Sequence, residues 1–117
     1  MIFGAVPPRI YIAARPVDFR KGMDGLAALV QEVLKLDPFG GTAFVCRAKR
    51  ADRIKILIWD GSGLILIYKR LEDGKFRWPR IEEGVMRLSP AQMSALFEGL
   101  DWSKVRSLRK PPPQAVQ

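Results

Sequence analysis

The segment from Arg53 to Leu71 constrains the fold more than any other. Two runs, Arg53-Ile54-Lys55-Ile56-Leu57-Ile58-Trp59 and Leu64-Ile65-Leu66-Ile67-Tyr68-Lys69-Arg70-Leu71, flank Asp60-Gly61-Ser62-Gly63. β-branched and aromatic residues favour pleated strands, and the glycine-rich tetrapeptide is turn chemistry. The runs are therefore expected to fold back on each other as an antiparallel hairpin. Centring the turn on Gly61-Ser62 sets Trp59 opposite Leu64, Leu57 opposite Leu66, Lys55 opposite Tyr68 and Arg53 opposite Arg70. Side chains alternate across a strand. Ile54, Ile56, Ile58, Ile65 and Ile67 thus share one face, broken only by Lys69, and that face is the expected core side. The other face carries Arg53, Lys55, Tyr68 and Arg70 beside an apolar strip of Leu57, Trp59 and Leu66.

Asp73-Gly74 is a second hairpin signal. It predicts a short strand over Phe76–Trp78, cut by Pro79, with Leu71 opposite Phe76 and Arg70 opposite Arg77. Arg53, Arg70 and Arg77 would then stand abreast on the outer face. Like charges directly opposite cost roughly 0.2–1 kcal/mol per pair, a cost that an anion would relieve. Guanidinium groups match phosphate oxygens, and Tyr68 offers a ring for a base to stack on. The plainer alternative is a solvated face whose arginine stems lie over Leu57 and Leu66.

The flanking segments supply the remaining elements. Arg9 to Ala14 predicts a strand closed by Pro16. Asp18 follows as a helix cap, and Leu26, Leu29, Val30, Val33 and Leu34 keep helical spacing until Asp37-Pro38 and Gly40-Gly41 stop the helix. Thr42 to Arg47 predicts another strand, joined to Arg53 by the polar connection Lys49 to Asp52. Ser89, Pro90 and Gln92 form a capping box, with Leu88 and Met93 placed as a hydrophobic staple. Met93, Leu96 and Phe97 follow as the apolar stripe, and Gly99 ends that helix. The expected fold class is α+β: a single antiparallel β-sheet of about four to six strands, with two helices packed on one face.

A chain of 117 residues suits one domain. Residues 1–103 are read as that domain and 104–117 as a basic, proline-rich tail. The tail carries Lys104, Arg106, Arg109 and Lys110 ahead of Pro111-Pro112-Pro113, a composition that disfavours order.

Twenty Lys and Arg face twelve Asp and Glu, for a net charge of +8, and there is no histidine. This fixed positive charge favours polyanionic partners. The absence of histidine excludes a Ser-His-Asp triad and leaves Cys46, the single cysteine, without an activating base. The carboxylates fall mostly at caps, turns and helix faces rather than in a convergent set, so no metal site and no cofactor are expected. Asp60-Gly61-Ser62-Gly63 lacks the later ligands of a calcium loop. No run approaches the roughly 20 apolar residues of a membrane span. One cysteine fits a reducing compartment, and the cytoplasm is the expected location.

Several runs are more specific. They are Asp18-Phe19-Arg20-Lys21-Gly22-Met23-Asp24-Gly25-Leu26, Asp37-Pro38-Phe39-Gly40-Gly41, Arg53 to Leu57 and Trp59 to Gly63. Tyr68 through Pro79 and Leu96-Phe97-Glu98-Gly99-Leu100-Asp101-Trp102 continue the series. Together they resemble the accessory proteins TnpB, products of the second reading frame of bacterial IS66-type insertion sequences. The resemblance covers roughly residues 9 to 103. It implies a non-catalytic factor acting in transposition beside a separate transposase, and it supplies no catalytic residues. Two modes of action are expected. In the first, the protein binds nucleic acid, DNA foremost, through Arg53, Lys55, Tyr68, Arg70, Arg77 and the basic tail. In the second, it is an adaptor that docks on the transposase or another element-encoded accessory protein. It would then use Leu57, Trp59 and Leu66, or Arg20 and Lys21. The apolar strip equally suits a second copy of the chain. A metal-dependent nuclease is the third and least supported reading.

Overall fold

The computed structural model describes residues 9–105. Among them one sheet forms from β1 (Ile10–Ala13), β2 (Ala43–Arg47), β3 (Arg53–Trp59), β4 (Leu64–Arg70) and β5 (Val85–Leu88). The order across the sheet is β4-β3-β2-β1-β5. Helix α1 (Met23–Glu32) joins β1 to β2, and α2 (Pro90–Phe97) follows β5, with a 3-10 turn at Trp102–Lys104.

The β3–β4 hairpin has the expected register, from Arg53 opposite Arg70 to Trp59 opposite Leu64. Asp60 closes the turn by accepting from the N–H groups of Ser62 and Gly63, both at 2.9 Å. Those donors hold its carboxyl below the usual carboxylate range.

The sheet is mixed rather than wholly antiparallel. β1 and β2 are parallel, while the β1–β5, β2–β3 and β3–β4 pairs are antiparallel. A parallel pair needs a crossover connection, and α1 provides it. The helices accordingly cover opposite faces, not one. α2 places Met93, Ala95 and Leu96 against Ile10, Ile12, Val45, Ile54 and Ile56. α1 places Leu26, Ala27 and Val30 against Phe44, Cys46 and Leu57, the alternate residues of the same strands. β3 is buried on both sides from Ile54 to Ile58.

Three local expectations also change. α1 begins after Gly22 with no side-chain cap, because Asp18 caps its own turn by accepting from the Arg20 N–H at 2.9 Å. α1 ends at Glu32, ahead of the expected stop. Phe76–Trp78 is not a strand. The Phe76 N–H instead donates to the Ala51 carbonyl at 2.9 Å, leaving β4 as an edge. The fifth strand is Val85–Leu88, paired with β1. The α2 capping box forms as expected: Ser89 Oγ accepts from the Gln92 N–H at 3.1 Å, and Gln92 Oε1 accepts from the Ser89 N–H at 2.8 Å.

Cys46 lies opposite Lys55 and is wholly buried under α1. Burial pushes its thiol up to about 12, against the smaller pull of the Lys55 charge toward thiolate. At pH 8 the thiol is therefore almost wholly protonated. Native protein should therefore resist thiol reagents and react promptly once unfolded in urea, which stopped labelling followed by mass spectrometry will measure.

Candidate nucleic-acid interface

The strand directions gather the chain's cations. β1, β2 and β4 end, and β3 and β5 begin, at the same end of the sheet. The connections 14–22, 48–52 and 71–84 all lie there, tied by backbone hydrogen bonds from Val17 to Arg47, from Leu71 to Asp52 and from Ala14 to Gly84. Arg15, Arg20, Lys21, Lys49, Arg50, Lys75, Arg77 and Arg80 belong to these connections, and Arg47, Arg53 and Arg70 stand at the adjoining strand ends. The connections at the opposite end, 33–42 and 60–63, contain one cation, Lys35, and Arg9 stands at the adjoining start of β1.

Two clefts open at the cationic end. One, of about 480 Å³, is lined by Arg20, Lys49, Arg50 and Arg53, with Asp18 as its only carboxylate among the described residues. The other, of about 800 Å³, is lined by Lys75, Arg77 and Arg80 with Phe76, Trp78, Trp102 and Asp101. The β2–β3 turn lies beside both. The Ala51 carbonyl accepts from the Phe76 N–H and from Trp78 Nε1, and the Arg47 guanidinium sits 5.2 Å from the centre of the Trp78 ring.

Lys55 holds Phe19, which lines the first cleft. The Lys55 side chain is 6% exposed, and its Nζ donates to the carbonyls of Phe19 at 2.7 Å and Lys21 at 3.0 Å. The rings of Phe19 and Tyr68 lie 4.9 and 5.2 Å from the same ammonium and meet each other edge-on. Lys55 is therefore spent inside the protein and offers no charge to a phosphate. It pins residues 19–21 over the sheet, which sets Arg20 at the cleft. Arg20 is exposed and bonded to Asp18 through Nε and Nη2, and that contact holds the Asp18 carboxyl well below the usual carboxylate range.

The expected residues are partly brought together. Arg53 and Arg70 are opposite one another, and Arg53 donates to the Tyr68 hydroxyl at 3.4 Å while its Nε lies 3.8 Å from Asp52. Arg77 leaves that row, since no fourth strand forms beside β4, and belongs to the second cleft. Leu57 is buried beneath α1, Leu66 packs against the same cluster, and Trp59 meets Phe39 edge-on. The apolar strip is thus largely covered by the chain's own helix rather than left for a partner. Lys21 and Lys104 are exposed, and Arg106, Arg109 and Lys110 lie outside the described residues. Sequence patterning does not single out Lys49, Arg50 or Arg80. They lie in connections, and only the topology assembles them.

Among the described residues no three His, Cys, Asp or Glu side chains come together as metal ligands, and no helix is long and apolar enough to cross a membrane.

Replacing Lys55 by Met removes two hydrogen bonds from a charged donor, each worth about 1.5–3 kcal/mol, and partly offsets the loss by ending the burial of a charge. A net loss of about 1–3 kcal/mol in urea unfolding is expected, against about 0.5 kcal/mol or less for exposed Lys49→Met.

Residues 8–107 match the family described as IS66 Orf2 like protein. Two curated relatives come from Sinorhizobium fredii. The uncharacterized protein y4jC is 52% identical over 88% of this chain and 86% of its own length. The uncharacterized protein y4hO is 43% identical over 88% of this chain and 90% of its own length. No solved structure matches. A family match over nearly the whole chain agrees with the motif runs in the sequence, and this chain belongs to the IS66 Orf2-like family of insertion-sequence accessory proteins.

Proposed function

We propose that this protein is a non-catalytic accessory factor for transposition of an IS66-type insertion sequence, and that it binds DNA through the cationic end of its sheet. The family supports the transposition role. The observation that carries the binding role is the convergence of Arg20, Lys49, Arg50 and Arg53 on one cleft that contains a single carboxylate. Guanidinium and ammonium groups gathered at that density attract the phosphodiester backbone irrespective of sequence. Lys21 and Arg70 extend the same surface. The non-catalytic reading rests on chemistry: Cys46 is buried and protonated at neutral pH, and the described carboxylates are dispersed.

A specific observation also favours an adaptor role. β4 is a sheet edge of seven residues, Leu64–Arg70, four of them aliphatic. Such an edge is a template for strand addition by another chain. A segment of the transposase or of another element-encoded accessory protein would pair there without using the cationic end.

The two roles separate in a binding experiment with DNA carrying the element's ends, across a salt series. Substituting Lys49, Arg50 and Arg53 together by Ala should weaken binding alike for all sequences. It should also flatten the slope of log K against log salt by about 0.9 for each phosphate that is no longer neutralised. Wild-type affinity and slope in that variant would reject the cationic cleft. Binding seen only when the transposase is present would favour the adaptor.

A further inference from the structure

Resting on the nucleic-acid reading above, we propose that the second cleft, between Lys75–Arg80 and Trp102, is a pocket for an unpaired nucleotide, so that the protein prefers single-stranded or frayed DNA over duplex.

The cleft's size and lining carry the inference. Its volume of about 800 Å³ lies within the range of small-molecule sites. Lys75, Arg77 and Arg80 supply three cations against the carboxylate of Asp101. The indole N–H groups beside it are already committed, Trp78 Nε1 to the Ala51 carbonyl and Trp102 Nε1 to the Arg77 carbonyl. The wall between the cations is therefore apolar: the half-buried Trp78 ring and Met86, with the small part of Trp102 left uncovered. Both indole rings are held in place. Trp102 is 8% exposed, and Trp78 lies against the Arg47 guanidinium and meets the Phe76 ring at 62°.

A cation-lined cleft with aromatic walls fits a flat base joined to a phosphate. A duplex presents a convex backbone and keeps its bases stacked, so it can meet the cations but cannot fill the cleft. An unpaired nucleotide can do both, and base–aromatic stacking tolerates any sequence. Asp101 orients the occupant. Its carboxylate is fixed by the Ser103 N–H and hydroxyl, repels phosphate and accepts from the donor groups of a base. The phosphate is thereby directed to Lys75 and Arg80, and the base toward the apolar wall at Trp78 and Met86. The Arg20–Arg53 cleft differs: its one aromatic ring, Phe19, already lies against Lys55 and Tyr68, so strand state should matter little there.

Tryptophan fluorescence tests this directly. The chain has three tryptophans, and in a Trp59→Phe variant Trp78 and Trp102, both beside the cleft, are the remaining reporters. Titration with a mixed-sequence single strand of about 12 nucleotides should quench them, and the single strand should bind about tenfold or more tightly than its duplex. Lys75→Ala with Arg80→Ala should abolish that preference and the quenching while duplex binding persists. Arg50→Ala should weaken both forms in equal proportion. Duplex binding as tight as single-strand binding, unquenched tryptophans at saturation, or an unchanged preference in the double variant would overturn the proposal and leave the broader DNA-binding reading standing. Absence of binding to either form would overturn both.

Discussion

Lys55 occupies the middle of β3 with its ammonium removed from water, flanked by strands that are otherwise apolar at that level. An isolated charge there would be costly. It is tolerated because two main-chain carbonyls and two aromatic rings surround it. The partners come from residues 19–21 and from Tyr68, so satisfying the charge obliges the 19–21 loop to close over the sheet. The cationic cleft depends on this closure. Arg20 reaches it because Phe19 and Lys21 are held by their carbonyls, and Arg53 and Tyr68 meet beside the same ammonium. A residue that a sequence reading assigns to the binding surface proves to be the scaffold beneath it.

The mixed sheet places the candidate binding groups at an end rather than on a face. With α1 on one side and α2 on the other, both faces are largely occupied. The connections at one end then become the available surface, and with the adjoining strand ends they carry eleven of the seventeen described arginines and lysines. Not all are free. Arg15 pairs with Glu83, Arg20 with Asp18, and Lys69 donates to the Phe97 carbonyl. Lys49, Arg50, Lys75 and Arg80, exposed at the two clefts, are the groups best placed to meet a polyanion.

The β3–β4 register could be read directly from the chain, because a period of two and a glycine-rich turn leave little choice. The same was true of the α2 capping box, which is purely local. The opposed helices were harder to foresee. Arg53 and Lys55 made the β3 run look alternating, whereas Ile54 through Trp59 is nearly continuous apolar sequence apart from Lys55, the pattern of a strand covered on both sides. The succession strand, helix, strand over residues 9–47 likewise carried the signal of a parallel pair. Asp73-Gly74 does turn the chain, with Gly74 at φ 81°, but Phe76 then joins the core and Trp78 finds the Ala51 carbonyl instead of extending β4. β5 has only four residues, and its identity comes from pairing with β1 far away in sequence. Of the candidate site, the basic character was visible, but its location was not. Lys49, Arg50 and Arg80 sit in segments that no periodicity marks, and only the strand order brings them together.

The central claim, that nucleic acid meets the end of the sheet and neither its faces nor its far end, is tested most directly by mapping backbone amide shifts while titrating DNA that carries the element's ends. Perturbations should concentrate in residues 15–22, 48–53, 70–80 and 101–103, with 33–42 and 60–63 unmoved. Perturbations centred on 33–42 and 60–63, or spread evenly over the described residues, would contradict it.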